Sequence, residues 1–219
     1  IKSMTAKEED ILSNPTFIKK GNVFRELLKV IVVKSPVSTD ELLIGDRDYI
    51  LFNARIDAYG ADYDVQIQCP NCNSLQKRSL DISQIDSKEL EISPVEPNEN
   101  LFSYTTSTGE EILFKFFTVE LQERYEDYIK KTSKLSRSGV ITSRLFYQIV
   151  SIGGEEDRGV IRKKVESMRA MESRQLRKFI NDHTPTMDMV LHGLDCDQCG
   201  YDGEVEIPVG ENFFWPDLG

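Results

Sequence analysis

Four cysteines are the residues of this chain best suited to chemistry, and they fall in two C-x-x-C pairs, Cys69-Pro70-Asn71-Cys72 and Cys196-Asp197-Gln198-Cys199. Two thiolates on a tight turn converge on a single metal ion, so two such knuckles can supply the four ligands of a structural zinc ribbon. Small or polar residues suit the turns, Pro70 and Asn73 in one and Gly200 in the other. Four thiolates leave no open coordination position, unlike a catalytic zinc that keeps one for water. The expectation is one structural Zn2+ per chain, held by Cys69, Cys72, Cys196 and Cys199, and no catalytic residue. Two other chemistries use the same motif. Thioredoxin-like redox pairs place C-x-x-C at a helix N-terminus after a strand, whereas both pairs here lie between strand-like segments. Structural disulfides need an oxidising compartment, for which the sequence carries no targeting signal.

The spacing is unusual, because 123 residues separate Cys72 from Cys196. Closing a loop of that length costs about 4 kcal/mol of chain entropy on logarithmic scaling. A structural zinc contributes on the order of 10 to 16 kcal/mol near neutral pH, enough to offset that cost several-fold. Four thiolates around one divalent ion leave a formal charge of about −2. Backbone N–H groups of the knuckles, or Lys77 and Arg78, are expected to soften it.

The elements that must position these cysteines can be read from periodicity. Thr5 with Glu8 forms a capping box ahead of Ile11 and Leu12, and Asn14-Pro15 opens a second helix. Val23, Phe24, Leu27, Leu28, Ile31 and Val32 recur at helical spacing. Ser38-Thr39-Asp40 reads as the cap of a short helix broken at Gly45-Asp46, with Asp46 capping the next helix up to Tyr59-Gly60. The period then changes to two. Tyr63, Val65 and Ile67 lead into the first knuckle and Leu75 to Leu80 leads out of it. Phe102 to Tyr104 and Ile112 to Phe117, joined across Thr108-Gly109, read as a hairpin. From Val119 to about Asp182 the pattern is helical, with Gly153-Gly154 as an internal stop and Ser173 as a cap. Met187 to Leu191 and Val205 to Ile207 flank the second knuckle as strands. The expected fold is therefore α+β, two helical groups flanking a small antiparallel β-region that holds a split four-cysteine zinc ribbon. The expected organisation is an N-terminal helical region (1–60), a β-region with the first knuckle (61–118), a helical insertion (119–185) and a β-region with the second knuckle and an aromatic tail (186–219). Segments 61–118 and 186–219 are expected to form one discontinuous domain.

Composition narrows the function classes. The chain has 219 residues and a formal charge of −10, and no apolar stretch is long enough to span a bilayer. Its opening, Ile1 to Asp10, has no apolar core of a signal peptide, and reads as part of something longer. After Lys178 there is no Lys or Arg, while nine acids follow, which disfavours that arm as a nucleic-acid binder. The stretch Arg158 to Lys178 carries eight cations against two acids and is the feature an alternative function would use, that of a zinc-ribbon nucleic-acid adaptor. A zinc hydrolase would require water in place of one thiolate. No phosphate-binding glycine loop and no G-x-S-x-G is present, and no small-molecule substrate is indicated. Of the two histidines, His192 lies near Cys196 but is expected to pack on a strand rather than bind metal. The terminal Phe213-Phe214-Trp215-Pro216 is the most concentrated apolar cluster; it reads either as a tail tucked into the protein's own core or as an anchor for a partner, and Phe213, Phe214 and Trp215 are the candidates for partner contact.

Several stretches together resemble the T4-like bacteriophage baseplate protein family. They are Met4 to Leu12, Lys19-Lys20-Gly21, Leu42 to Arg47, Tyr59-Gly60 before Tyr63, both cysteine knuckles with Gly200, and the closing Phe-Phe-Trp-Pro. The resemblance implies a baseplate hub subunit or a hub assembly protein of contractile-tailed phages. It would be located in the virion tail baseplate, or in the host cytoplasm during assembly. It implies no enzyme activity and no membrane, but contacts with other hub or tail proteins in an oligomeric assembly. A reducing cytoplasm suits thiolate-bound zinc over disulfides.

Overall fold

The computed structural model describes residues 1–133, 139–208 and 213–214. Its first half carries α1 (Ala6–Leu12), α2 (Pro15–Lys20), α3 (Val23–Ile31), α4 (Ile44–Tyr59), β1 (Asp62–Gln68), β2 (Leu75–Asp81), β3 (Ser87–Lys88), β4 (Phe102–Thr105) and β5 (Glu111–Phe114). There follow α5 (Val119–Ser133), α6 (Val140–Gln148), β6 (Ile149–Ile152), α7 (Arg158–Ser167) and α8 (Ala170–His183). Three two-residue strands close the order, β7 (Thr186–Met187), β8 (Val190–Leu191) and β9 (Val205–Glu206). The fold is α+β, with helices and small antiparallel sheets. It divides into two compact units, one of Ile1–Thr39, Arg47–Lys88 and Thr186–Gly219, the other of Asp40–Asp46 and Glu89–Pro185.

In the first unit, local signals set the helix ends. Thr5 caps α1, and Glu8 reaches back to accept from the Thr5 N–H at 2.8 Å, completing the capping box. Asn14 caps α2 and Gly21 ends it in the left-handed conformation at φ 73°. Leu27, Leu28 and Ile31 of α3 share one buried face, as helical periodicity requires. Gly60 turns the chain at φ 84° into β1, which pairs with β2 along its whole length from Asp62↔Asp81 to Gln68↔Leu75. Two further ladders, β3 with β7 and β8 with β9, bring the end of the chain beside this hairpin. Arg55 of α4 is fully buried and its guanidinium donates to backbone carbonyls: Nη1 to Gly60, Nη2 to Asp62 at 2.6 Å, and Nε to Phe213 at 3.2 Å. It thereby satisfies carbonyls around the α4–β1 turn.

The second unit stacks helices on a three-stranded sheet of order β4-β5-β6. Phe102, Ile112, Phe114, Ile149 and Ile152 of the sheet meet Leu145 of α6, Ile161 and Val165 of α7, and Leu176 and Ile180 of α8 in one buried cluster.

Three details differ from the sequence-based expectation. Residues Asp40 to Leu43 are not a helix, because this segment pairs with the chain ahead of α5: Val119 N–H donates to Leu42 O, and Leu43 bridges Thr118. Helix α4 accordingly starts at Ile44 and runs through Gly45-Asp46. The stretch Ile149 to Ile152, whose apolar spacing also fits a helix, is a strand, since β5 offers a free edge that β-branched residues suit. Helix α8 begins at Ala170 rather than at Ser173, without a side-chain cap.

Candidate metal centre

Both C-x-x-C pairs sit on turns of the first unit. In the first, Cys69 N–H donates to Ser74 O and Asn73 N–H to Cys69 O, each at 2.9 Å, with Asn73 left-handed at φ 60°. The second repeats this geometry. Cys196 N–H donates to Tyr201 O at 2.9 Å, Gly200 N–H to Cys196 O at 2.8 Å, and Gly200 has φ 65°. The residue after each second cysteine must be left-handed to close the turn, a conformation open to glycine and tolerated by asparagine. Two positions ahead of each knuckle an aliphatic side chain is buried, Ile67 in one and Leu194 in the other. These pack with Cys69 and Cys196, while Cys72 and Cys199 are exposed.

The four sulfur atoms lie within 4.8 Å of one another. Across the two knuckles, Cys69 Sγ is 3.8 Å from Cys199 Sγ and Cys72 Sγ is 3.7 Å from Cys196 Sγ. A tetrahedron with metal–sulfur bonds of about 2.3 Å has sulfur–sulfur edges of about 3.8 Å. These contacts match a tetrahedral edge and are far too long for a disulfide, whose sulfurs sit about 2.05 Å apart. The cluster is compatible with a bound metal ion such as zinc.

The surroundings stabilise thiolate charge. Ser74 Oγ lies 3.0 Å from Cys72 Sγ and 3.5 Å from Cys196 Sγ, and Asn71 Nδ2 donates to Cys199 Sγ at 3.4 Å. The Ser74 hydroxyl is the leading reason that Cys72 is lowered and that Cys196 is brought down to about 6. Burial acts the other way on Cys69 and pushes it up to about 11. A divalent metal bound by the sulfurs would favour the Cys69 thiolate against that burial.

Strand β2 joins the two halves independently of any metal. Buried Gln76 donates to Ser74 Oγ at 2.8 Å and accepts from Asp197 N–H at 3.3 Å. Arg78 donates to Asp195 O at 2.7 Å and to Asp197 Oδ2 at 3.2 Å, so it braces the second knuckle. The sequence points to Asn73 as a turn residue and to Lys77 and Arg78 as cations for the thiolates; Arg78 instead holds the second knuckle through Asp195 O and Asp197, and Ser74, Gln76 and Asn71 are not anticipated as supports. A serine two residues after a C-x-x-C is the one signal it offers.

The other candidates fall elsewhere. His192 is outside the sulfur cluster and exposed, with Nδ1 3.0 Å from Glu204 and Nε2 3.6 Å from Asp188. Phe213 and Phe214 are buried inside the first unit, where Phe213 packs on Phe52 and Tyr63, and Phe214 on Phe24. The two rings pack in their own chain's interior, as the tucked-tail reading expects. Trp215 lies outside the described residues. Among the described residues no helix is long and apolar enough to cross a membrane.

A known protein family, described as T4 bacteriophage base plate protein, matches residues 1–215. No curated protein and no solved structure matches the chain. The match covers both knuckles and nearly every element that holds them, so the chain belongs to the T4 bacteriophage base plate protein family.

Proposed function

We propose that this protein is a structural or assembly component of the baseplate hub, acting through contacts with other tail proteins and stabilised by one zinc ion on Cys69, Cys72, Cys196 and Cys199. The observation that carries the metal part is the pair of cross-knuckle sulfur contacts, 3.8 and 3.7 Å, at the spacing of a tetrahedral thiolate site. Family membership supports the baseplate part. Such a role asks for a rigid body with faces for partners and for no reactive group. A closed four-thiolate site fits that need, since it has no position for a substrate.

The nucleic-acid alternative gains little from the structure. Several cations of the Arg158 to Lys178 stretch are engaged within the chain: Arg158 donates to Ile149 O, Lys164 pairs with Glu110, and Lys178 pairs with Asp182.

The test is elemental analysis of protein purified without added zinc, together with recovery of hub intermediates from infected cells. We expect one zinc per chain, its loss in a Cys72→Ser, Cys199→Ser double variant, and co-purification of the protein with hub components. Metal-free, stable protein would refute the zinc. Its absence from every hub intermediate would refute the hub assignment while leaving family membership intact.

A further inference from the structure

The second unit gathers positive charge on aromatic rings. Arg158 and Arg162 lie over the Phe146 ring, 4.0 and 4.1 Å from its centroid, and Arg144 lies 4.7 Å over Phe117. The rings themselves form a connected set, because Tyr147 packs on Phe146, Tyr125 and Tyr128, and Tyr125 on Phe117. Lys115 belongs to the same region. Burial and the nearby charges of Arg158 and Arg124 hold its ammonium below the usual lysine range, with Glu120 acting weakly against them. Among the described residues, no carboxylate is ion-paired with Lys115, Arg124, Arg144, Arg158 or Arg162.

Like charges held together without counter-ions repel, so this arrangement is most favourable when an anion covers it. Arg158 spends its Nη donors on the Ile149 and Phe146 carbonyls, whereas an arginine held only by a ring keeps N–H donors at its edge, which suit a carboxylate or phosphate fork. The complementary charge exists on the same chain. Between His183 and Glu206 there is no Lys or Arg. Within that span Asp197 is taken by Arg78, and Asp188 and Glu204 by His192. Asp195, Asp202 and Glu206 remain exposed, with no ion pair among the described residues.

We propose that the Arg124, Arg144 and Arg162 face of the second unit is an interaction surface for the acidic second-knuckle segment, Asp195 to Glu206, of another copy of this chain. The two surfaces differ, so the contact is heterologous and propagates head to tail until a ring closes or a partner ends it. The inference rests on charge placement and holds whether or not the hub assignment is right.

The test is sedimentation velocity on the whole, metal-replete chain across micromolar concentrations, at low salt and at about 500 mM salt, where charge–charge attraction is screened within about 4 Å. We expect concentration-dependent association at low salt that disappears at high salt. One variant reverses the basic face (Arg124→Glu, Arg144→Glu). A second reverses the acidic segment (Asp202→Lys, Glu206→Lys). All four positions are exposed, and unchanged melting identifies a folded variant. A milder pair, Arg144→Gln with Arg162→Gln, serves if the reversal unfolds the chain. Each variant alone should associate at least about tenfold more weakly than the parent. Mixed together, they should associate again, since the intact acidic segment of the first meets the intact basic face of the second and the two reversed surfaces are complementary in charge. A chain that stays monomeric at low salt overturns the proposal, as does association that neither variant weakens or a mixture that does not pair. Salt-sensitive binding of an oligonucleotide by a monomeric parent, lost in the first variant, would also overturn it and assign the face to nucleic acid.

Discussion

Glu8 lies almost wholly out of solvent, at 1% exposure, yet its neighbours favour the ionised carboxylate. Lys2 Nζ donates to it at 2.8 Å, and the Thr5 hydroxyl and N–H donate at 2.6 and 2.8 Å. These donors, the Lys2 contact first, hold its carboxyl down at about 2 against an ordinary 4.5. In the unfolded chain the group takes up a proton as the pH falls through about 4.5, and in the folded chain only near 2. Its contribution is therefore complete above about pH 4.5 and is lost progressively between there and about 2. Glu8→Gln should lower stability at pH 7 by about 2 kcal/mol and flatten the acid limb of a denaturant-midpoint titration between those two pH values. An unchanged acid limb would show that the buried ionised carboxylate does not matter. Residue types with fixed chemistry are legible in the amino-acid sequence. The cysteine pairs and the Thr5–Glu8 capping box are local patterns whose function depends on neighbours a few positions away. Ser74 and Gln76 are not legible as supports of the site, because their partners Cys196 and Asp197 lie about 120 residues on, and nothing local marks the encounter.

Secondary structure follows the hydrophobic period wherever one face is buried and the other wet. The β1–β2 hairpin is an example: Tyr63 and Ile67 point inward and alternate with exposed residues, so period two is unambiguous. Ambiguity arises where both readings bury the same side chains. Leu145, Ile149 and Ile152 satisfy helical spacing, yet the chain changes from α6 to β6 between Gln148 and Ile149 because β5 needs an edge partner. Gly45 shows a similar override. A glycine with an aspartate after it reads as a break, but here it lies in the first turn of α4, where a Cβ would stand 2.2 Å from Pro185 O and 2.6 Å from its carbonyl carbon. Both obstructing atoms are backbone, so they cannot swing aside. Gly45→Ala should lower the unfolding free energy by about 2 to 3 kcal/mol in chemical denaturation, despite the better helix propensity of alanine. A neutral or stabilising result would show that this close approach is not obligatory.

At the scale of the whole molecule, all four cysteines belong to one unit, while the other carries its own buried core and no cysteine. Zinc bound as proposed should stabilise only the unit that contains it. A chelator should therefore lower one thermal transition by ten degrees or more, roughly, and leave a second transition from the sheet-and-helix core in place. A single transition that moves as a whole would mean that the two cores unfold cooperatively. The same division gives the 123-residue interval between the knuckles a temporal meaning. At synthesis rates of about 5 to 20 residues per second, the first knuckle leaves the ribosome roughly ten seconds before the second. During that delay the intervening core can fold, but Cys69 and Cys72 offer only two thiolates, too few for a closed site. If zinc binds as proposed, its closed site can form only after the second knuckle has emerged, and a chain terminated anywhere before Cys199 cannot complete it. A chain that stops before its second knuckle would then lack the metal's contribution to its fold.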